Sequence, residues 1–148
     1  MVTERATLGA GCFWHVQWTL DRTPGVVGTL AGYSGGSGKA TYKNAEEKGF
    51  AEVVMVDFDP DKISYEKLLD VFWKEHNPTT RNRQGKDVGH RYRSVIFYHN
   101  PSQKKVAEKS RENYQKRLDE PIVTGIEPIK NFYPAEKEHQ KYLEKHND

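Results

Sequence analysis

The sequence predicts an α+β fold, a two-layer α/β sandwich in which helices cover one sheet. Three observations carry this. Strand-like and helix-like segments follow one another in the order β-α-β-β-α-β-α-β. The run from Ala51 to Phe58 is rich in valine and closed by Asp59-Pro60, the pattern of a buried strand. Just after it, Tyr65, Leu68, Leu69, Phe72 and Trp73 fall at i, i+3, i+4, i+7 and i+8, the stripe of a helix that must bury one face.

The elements follow from local signals. Residues 5–11 read as a short strand running out into small residues, Gly9-Ala10-Gly11. Cys12 to Leu20 contains no breaker and sets Phe13, Val16 and Leu20 at helical spacing, until Pro24-Gly25 stops it. Val26 to Tyr33 reads as a second strand, and residues 34–49, with four glycines, as a surface loop. Ser64 is placed to cap the amphipathic helix that Asn77-Pro78 ends. A polar segment, 78–91, leads to a strand from Tyr92 to Tyr98. Asn100-Pro101 then offers a cap and a first-turn proline to a helix reaching about Leu118. Ile122 to Ile129 supplies another strand and 134–146 a short terminal helix. No repeat, low-complexity tract or linker divides the chain, so 1–148 is expected to be a single catalytic domain.

Charge narrows the partners. Lys and Arg number 23 against 21 Asp and Glu, a net +2 with both signs interspersed, which offers no basic face for nucleic acid. No apolar run approaches the roughly 20 residues of a membrane span. Met1-Val2-Thr3-Glu4-Arg5 lacks the basic and apolar stretches of a secretory signal. A cytoplasmic monomer without membrane contact is expected.

Several motifs fail on inspection. Gly35-Gly36-Ser37-Gly38-Lys39-Ala40-Thr41 has Tyr33 where a phosphate loop needs its first glycine and Ala40 where it needs a hydroxyl. A dinucleotide fingerprint begun at Gly9-Ala10-Gly11 would put its third glycine on Trp14. A Cys-x5-Arg cradle would need arginine at Trp18. Histidines 15, 76, 90, 99, 139 and 146 show no metal spacing, and no metal or cofactor is expected.

The chain has one cysteine, which excludes an internal disulfide, a Cys-x-x-Cys pair and a multi-cysteine zinc site. Cys12 falls where a strand turns into a helix, and the free N–H groups there favour a thiolate, the nucleophilic form. A small buried hydrophobe is the other reading of that thiol. Phe13 and Trp14 cannot both face the core from one side of a helix, so one can line a pocket for a small apolar group such as an S-methyl. Taken alone, Glu52 reads as a solvent-facing strand residue, and Tyr42 and Tyr92 as rim or core tyrosines.

Gly11-Cys12-Phe13-Trp14 resembles the signature of the type A peptide methionine sulfoxide reductase family, which acts on the S epimer of the sulfoxide. The resemblance continues through Pro24-Gly25-Val26, Gly32-Tyr33-Ser34-Gly35-Gly36, Thr41-Tyr42, Ala51-Glu52-Val53-Val54, Ser64-Tyr65-Glu66 and Val71-Phe72-Trp73. It extends to Arg83-Gln84-Gly85, Asp87-Val88-Gly89, Tyr92-Arg93-Ser94 and Phe132-Tyr133-Pro134-Ala135-Glu136, nearly the whole chain. It implies a ferredoxin-like core with a mixed, mainly antiparallel sheet. It also implies that Cys12 attacks the sulfoxide sulfur and that Phe13 and Trp14 hold the methyl group. Glu52 would protonate the sulfoxide oxygen, Tyr42 and Tyr92 would share that oxygen, and Asp87 would support them. The chemistry suits these types, since attack on sulfur puts negative charge on oxygen and needs donors around it. A glutamate can donate only if burial raises its pKa.

Three positions depart from the family pattern: His15 and Gln17 replace the usual glycine and glutamate, and Phe50 the usual histidine. The family's carboxy-terminal resolving cysteines are also missing here. A sulfenic acid on Cys12 would therefore need an outside thiol: glutathione with glutaredoxin, thioredoxin, or a small dithiol. Some family members carry selenocysteine at the Cys12 position. Two other readings of the residues are a cysteine acyl transferase or hydrolase using His15 as base, and a binding module with a structural cysteine.

Overall fold

The structure is a computed structural model and describes residues 2–146. Its strands are β1 (Glu4–Ala10), β2 (Val26–Ser34), β3 (Ala51–Phe58), β4 (Arg83–Gln84), β5 (Asp87–Val88), β6 (Ser94–Tyr98), β7 (Gly125–Pro128) and β8 (Tyr133–Pro134). The helices are α1 (Phe13–Asp21), α2 (Tyr65–Glu75), α3 (Pro101–Gln115) and α4 (Tyr142–His146), with single 3-10 turns at His90–Tyr92 and Lys137–His139.

Six strands form one sheet in the order β7-β6-β1-β3-β2-β8, and β4 pairs with β5 in a separate hairpin. Neighbours in the large sheet run antiparallel except β6 and β7, which are parallel. The sheet is thus mixed and mainly antiparallel. Its centre, β6-β1-β3-β2, with α1 joining β1 to β2 and α2 joining β3 to β6, is the ferredoxin-like arrangement.

Residue parity explains the valine-rich strand. Along β3, Val54, Val56 and Phe58 join the large core beneath the helices, with Phe13, Val16, Leu20, Leu68, Leu69 and Phe72. Ala51 and Val53 face the other way, where Val95 and Phe97 complete a smaller core covered by Ile129 and Phe132. Both faces of β3 are buried, so its hydrophobic pattern does not alternate. By the same parity Glu52 belongs to the helix face.

The caps behave as their sequences suggest. The Ser64 side chain accepts from the Lys67 N–H at 3.1 Å, and that of Asn100 accepts from the Gln103 N–H at 2.9 Å with Pro101 in the first turn. α3 buries small and polar residues, Gln103, Ala107 and Ser110, and lies close to α2, where the Trp73 indole N–H donates to Ser110 Oγ at 2.8 Å. At the end of β1 the chain turns sharply at Gly11 (φ +95°), where a Cβ would stand 2.8 Å from Gln84 Cγ.

Four segments differ from the sequence expectation. The strand expected from Tyr92 begins at Ser94, because His90–Tyr92 closes a 3-10 turn first. The polar stretch 78–91 holds the β4–β5 hairpin. The strand expected over 122–129 contracts to Gly125–Pro128. The terminal helix expected over 134–146 is divided: Tyr133–Pro134 pairs with β2, and Lys141, at φ +53°, separates the 3-10 turn from α4.

Asn100 lies far from the open end of β1 in sequence and caps α3 alone. Asn100→Ala is expected to lower stability by about 1 kcal/mol, read from the urea midpoint at unchanged slope.

Candidate active site

Cys12 is the N-cap of α1, in extended rather than helical backbone, and its side chain is half-buried. It lines a cleft of about 490 Å³ together with Ala10, His15, Glu75, His76, Gln84, Lys86 and Asp87. Burial, and then the nearby Glu52 carboxylate, push its thiol up to about 12, although hydrogen bonding to the Trp14 and His15 N–H groups acts in the other direction. Burial and Glu52 therefore oppose the pull of the helix N-terminus toward a thiolate. Burial favours the protonated thiol.

Glu52 sits at the start of β3 with a side chain 1% exposed. Oε1 accepts the Phe13 N–H at 3.2 Å, which ties it to the first turn of α1, and Oε2 accepts the Arg91 Nε–H at 2.7 Å. Burial raises its carboxyl above the ordinary value, with Arg91 and the Phe13 N–H pulling it back. Glu52 is thus neither solvent-facing nor alone.

The phenols gather round the same carboxyl. Arg91 lies 4.5 Å over the ring of Tyr42 and 5.8 Å from that of Tyr92. Burial, followed by Glu52, raises Tyr42 and pushes Tyr92 up to about 12, so both remain hydrogen-bond donors at neutral pH. Asp87, in β5, stands on the cleft side beside Cys12.

Phe13 and Trp14 part company, as one helix face requires. Phe13 is fully buried against Tyr33, Tyr42 and His139, with ring centroids 5.6, 6.5 and 5.8 Å away. Trp14 is half-buried, donates its indole N–H to His139 Nδ1 at 3.2 Å, and stacks on Tyr142 at 3.8 Å and 11°. His139 in turn stacks on Tyr42 at 4.3 Å. The aromatic wall is therefore completed by the carboxy-terminal segment.

That segment is fastened by polar side chains. Glu136 accepts from the Tyr33 hydroxyl at 2.7 Å and the Tyr42 N–H at 3.0 Å, and this bonding holds its carboxyl below the ordinary value against some burial. Gln140 accepts from the Ala31 N–H at 2.9 Å and donates to the Ala31 carbonyl at 2.8 Å. Gln17 is buried in α1 and accepts the Lys141 N–H at 2.7 Å. Of the three departures, then, Gln17 serves the clamp and Phe50 packs in the core edge-on to Tyr133. His15 is exposed beside the cleft and, among the described residues, makes no hydrogen bond to Cys12. Sequence reasoning missed Arg91, His139, Gln140 and Tyr142, and Glu136 was visible only as part of a family-like block.

Among the described residues no group of three or more His, Cys, Asp or Glu could hold a metal ion, and no helix is long and apolar enough to cross a membrane. The arrangement sets a thiol near a buried carboxyl, two phenols and an aromatic wall, and among the described residues no histidine is hydrogen-bonded to the sulfur. Fold and site together fit an enzyme of sulfur chemistry. Residues 4–148 match the family model described as peptide methionine sulfoxide reductase, and the chain belongs to that family. It is 54% identical over 147 residues to peptide methionine sulfoxide reductase MsrA of Geobacter sulfurreducens, covering 96% of this chain and 91% of that protein. The structure is similar to Mxr1 of Saccharomyces cerevisiae in reduced form, with a TM-score of 0.93 at 37% identity, covering 99% of this chain and 87% of that one. It is also similar to Mxr1 solved in complex with Trx2, with a TM-score of 0.70 at 32% identity, covering 95% and 84%.

The protonated thiol has a direct consequence. Iodoacetamide alkylation of Cys12 is expected to rise about tenfold per pH unit from 7 to 10 without a plateau, since only the thiolate reacts. Glu52→Gln removes one charge that opposes ionisation and should accelerate alkylation at pH 8. A plateau below pH 9 in the unmodified chain would contradict this account.

Proposed function

We propose that the pocket around Cys12 is where this chain carries out the reaction of its family, reduction of peptide methionine (S)-S-oxide to methionine. The observation that carries the assignment is the buried Glu52, bonded both to the first turn of the helix that Cys12 caps and to Arg91. The Cys12 sulfur attacks the sulfoxide sulfur, and charge moves to the sulfoxide oxygen. The thiol proton passes to Glu52, whose carboxyl is raised by burial, and from there to the sulfoxide oxygen, while the Tyr42 and Tyr92 hydroxyls donate hydrogen bonds. Asp87 supports them from the cleft side. The methyl group rests against Phe13 and Trp14, whose outer face Tyr142 extends.

The balance is simple. Thiol plus sulfoxide gives sulfenic acid plus thioether: one oxygen passes from substrate sulfur to Cys12 sulfur. Substrate sulfur gains two electrons and Cys12 loses two. The chain contains one cysteine, so an outside thiol must attack the sulfenic acid, release water and then be displaced by a second thiol. The solved complex of Mxr1 with Trx2 supports a thioredoxin-type reductant. Glutathione with glutaredoxin or a small dithiol satisfies the same chemistry. We assign all of this to one catalytic domain, 1–148, acting as a monomer on free or protein-bound methionine sulfoxide in the reducing cytoplasm.

Cys12→Ser is expected to abolish dithiothreitol-driven reduction of the S-sulfoxide, and activity within tenfold of the unmodified chain would sink the nucleophile. Glu52→Gln keeps the shape but has no transferable proton, and should slow single-turnover reduction by about 10²–10⁴. Without added thiol, excess sulfoxide should yield about one methionine per chain and a sulfenic acid labelled by dimedone. Two methionines per chain would rule out the one-cysteine cycle.

A further inference from the structure

We propose that Arg91 is a catalytic residue of the sulfoxide step, donating a hydrogen bond from Nη2 to the substrate oxygen while Nε stays on Glu52. This rests on the reading of the pocket given above and names a group that neither the sequence motifs nor the family pattern singled out.

Three facts support it. Arg91 is 11% exposed, so its charge is held inside the protein at a cost that needs a return. Its Nη2 is fully buried and has no hydrogen-bond partner among the described residues. Buried guanidinium nitrogens are rarely left unmatched, and an unmatched one on the guanidinium that faces Glu52, Tyr42 and Tyr92 marks a place for a ligand atom. Third, the pairing with Glu52 is single-pointed. A guanidinium that served only to neutralise a carboxylate would engage both oxygens with a fork of two N–H groups. Here Oε1 is already occupied by the Phe13 N–H, and only Nε reaches Oε2.

The surroundings say what the spare donor is for. The guanidinium lies against the rings of Tyr42 and Tyr92, the two phenols assigned to the sulfoxide oxygen. When the Cys12 sulfur bonds to the substrate sulfur, the S–O bond polarises and its oxygen gains negative charge. A cation with a free N–H at that point stabilises the charge more than a neutral donor does. The proton that settles on oxygen comes from Glu52, and Arg91 contributes charge and direction only.

The test separates contact with the oxygen from general support of the pocket. Single-turnover reduction of N-acetylmethionine S-sulfoxide and binding of its thioether product, N-acetylmethionine, are measured with the unmodified chain and with Arg91→Gln. The thioether has the same methyl and side chain but no oxygen. The reduction step should slow by about 10²–10³, the usual cost of losing one oxyanion donor, while thioether affinity stays within twofold. Arg91→Lys, which keeps a cation at one point, should recover part of the rate, and it carries the same comparison if Arg91→Gln does not fold. A rate within threefold of the unmodified chain, or equal losses in the sulfoxide step and in thioether affinity, overturns the proposal. If the unmodified chain releases no thioether at all, the underlying reading of the pocket fails, and the role of Arg91 with it.

Discussion

Burying the Glu52 carboxyl costs several kcal/mol unless its oxygens meet donors, and the elements around the pocket are placed to meet them. Strand parity turns the side chain toward the helices, on the face that carries Val54 and Val56. The first turn of α1 then brings the Phe13 N–H to one oxygen, and the 3-10 turn at His90–Tyr92 brings Arg91 to the other. Those two requirements fix where α1 begins and where β6 cannot yet begin. They also fix Cys12, one residue ahead of Phe13, and Tyr92, one residue after Arg91. The one thiol of the chain and one of the phenols beside Glu52 are thus neighbours in sequence of the two groups that stabilise a single buried acid.

The opposite side of the pocket depends on the end of the chain. Residues 133–142 add a short strand to β2 and lay His139 and Tyr142 over the aromatic groups that follow Cys12. Besides its packing through Ala135 and Tyr142, this segment is retained by directed bonds from Gln17, Tyr33 and Gln140. Each is a buried or half-buried polar group whose loss would leave a partner unsatisfied, and that asymmetry makes such clamps specific. Gln17 marks how a position counted as a departure from a family pattern acquires a structural purpose. Its amide replaces a charge and reads the backbone of Lys141.

Much of the architecture was legible because it is written in local terms. Ser64, Asn100 and Pro101 announce helix starts through backbone donors they satisfy or lack, and the stripe from Tyr65 to Trp73 can bury only one face. Cys12 was legible as a thiol at a strand-to-helix turn, and the resemblance supplied Glu52, Tyr42, Tyr92 and Asp87. Arg91 was not, because an arginine in a polar, aperiodic stretch reads as a solvated charge until a carboxyl 39 residues away is known to face it. His139 and Tyr142 were hidden for a related reason, since their contacts with Trp14 cross the whole chain. The opposing pull on the Cys12 thiol was not legible, because a helix terminus is a local feature, whereas burial and the field of Glu52 come from the folded whole.

The high pKa of that thiol bears on selectivity. Peroxide and similar oxidants consume cysteines in proportion to their thiolate, and a sulfur that is almost wholly protonated near neutral pH offers them little to attack. In the proposed reaction a sulfoxide falls under different rules, because donors around Glu52 would meet its oxygen and its sulfur would lie beside Cys12. The same burial that makes the residue sluggish toward small reagents therefore confines its chemistry to molecules that can fill the pocket. An enzyme exposed to the oxidants whose damage it reverses is thereby shielded from becoming their target.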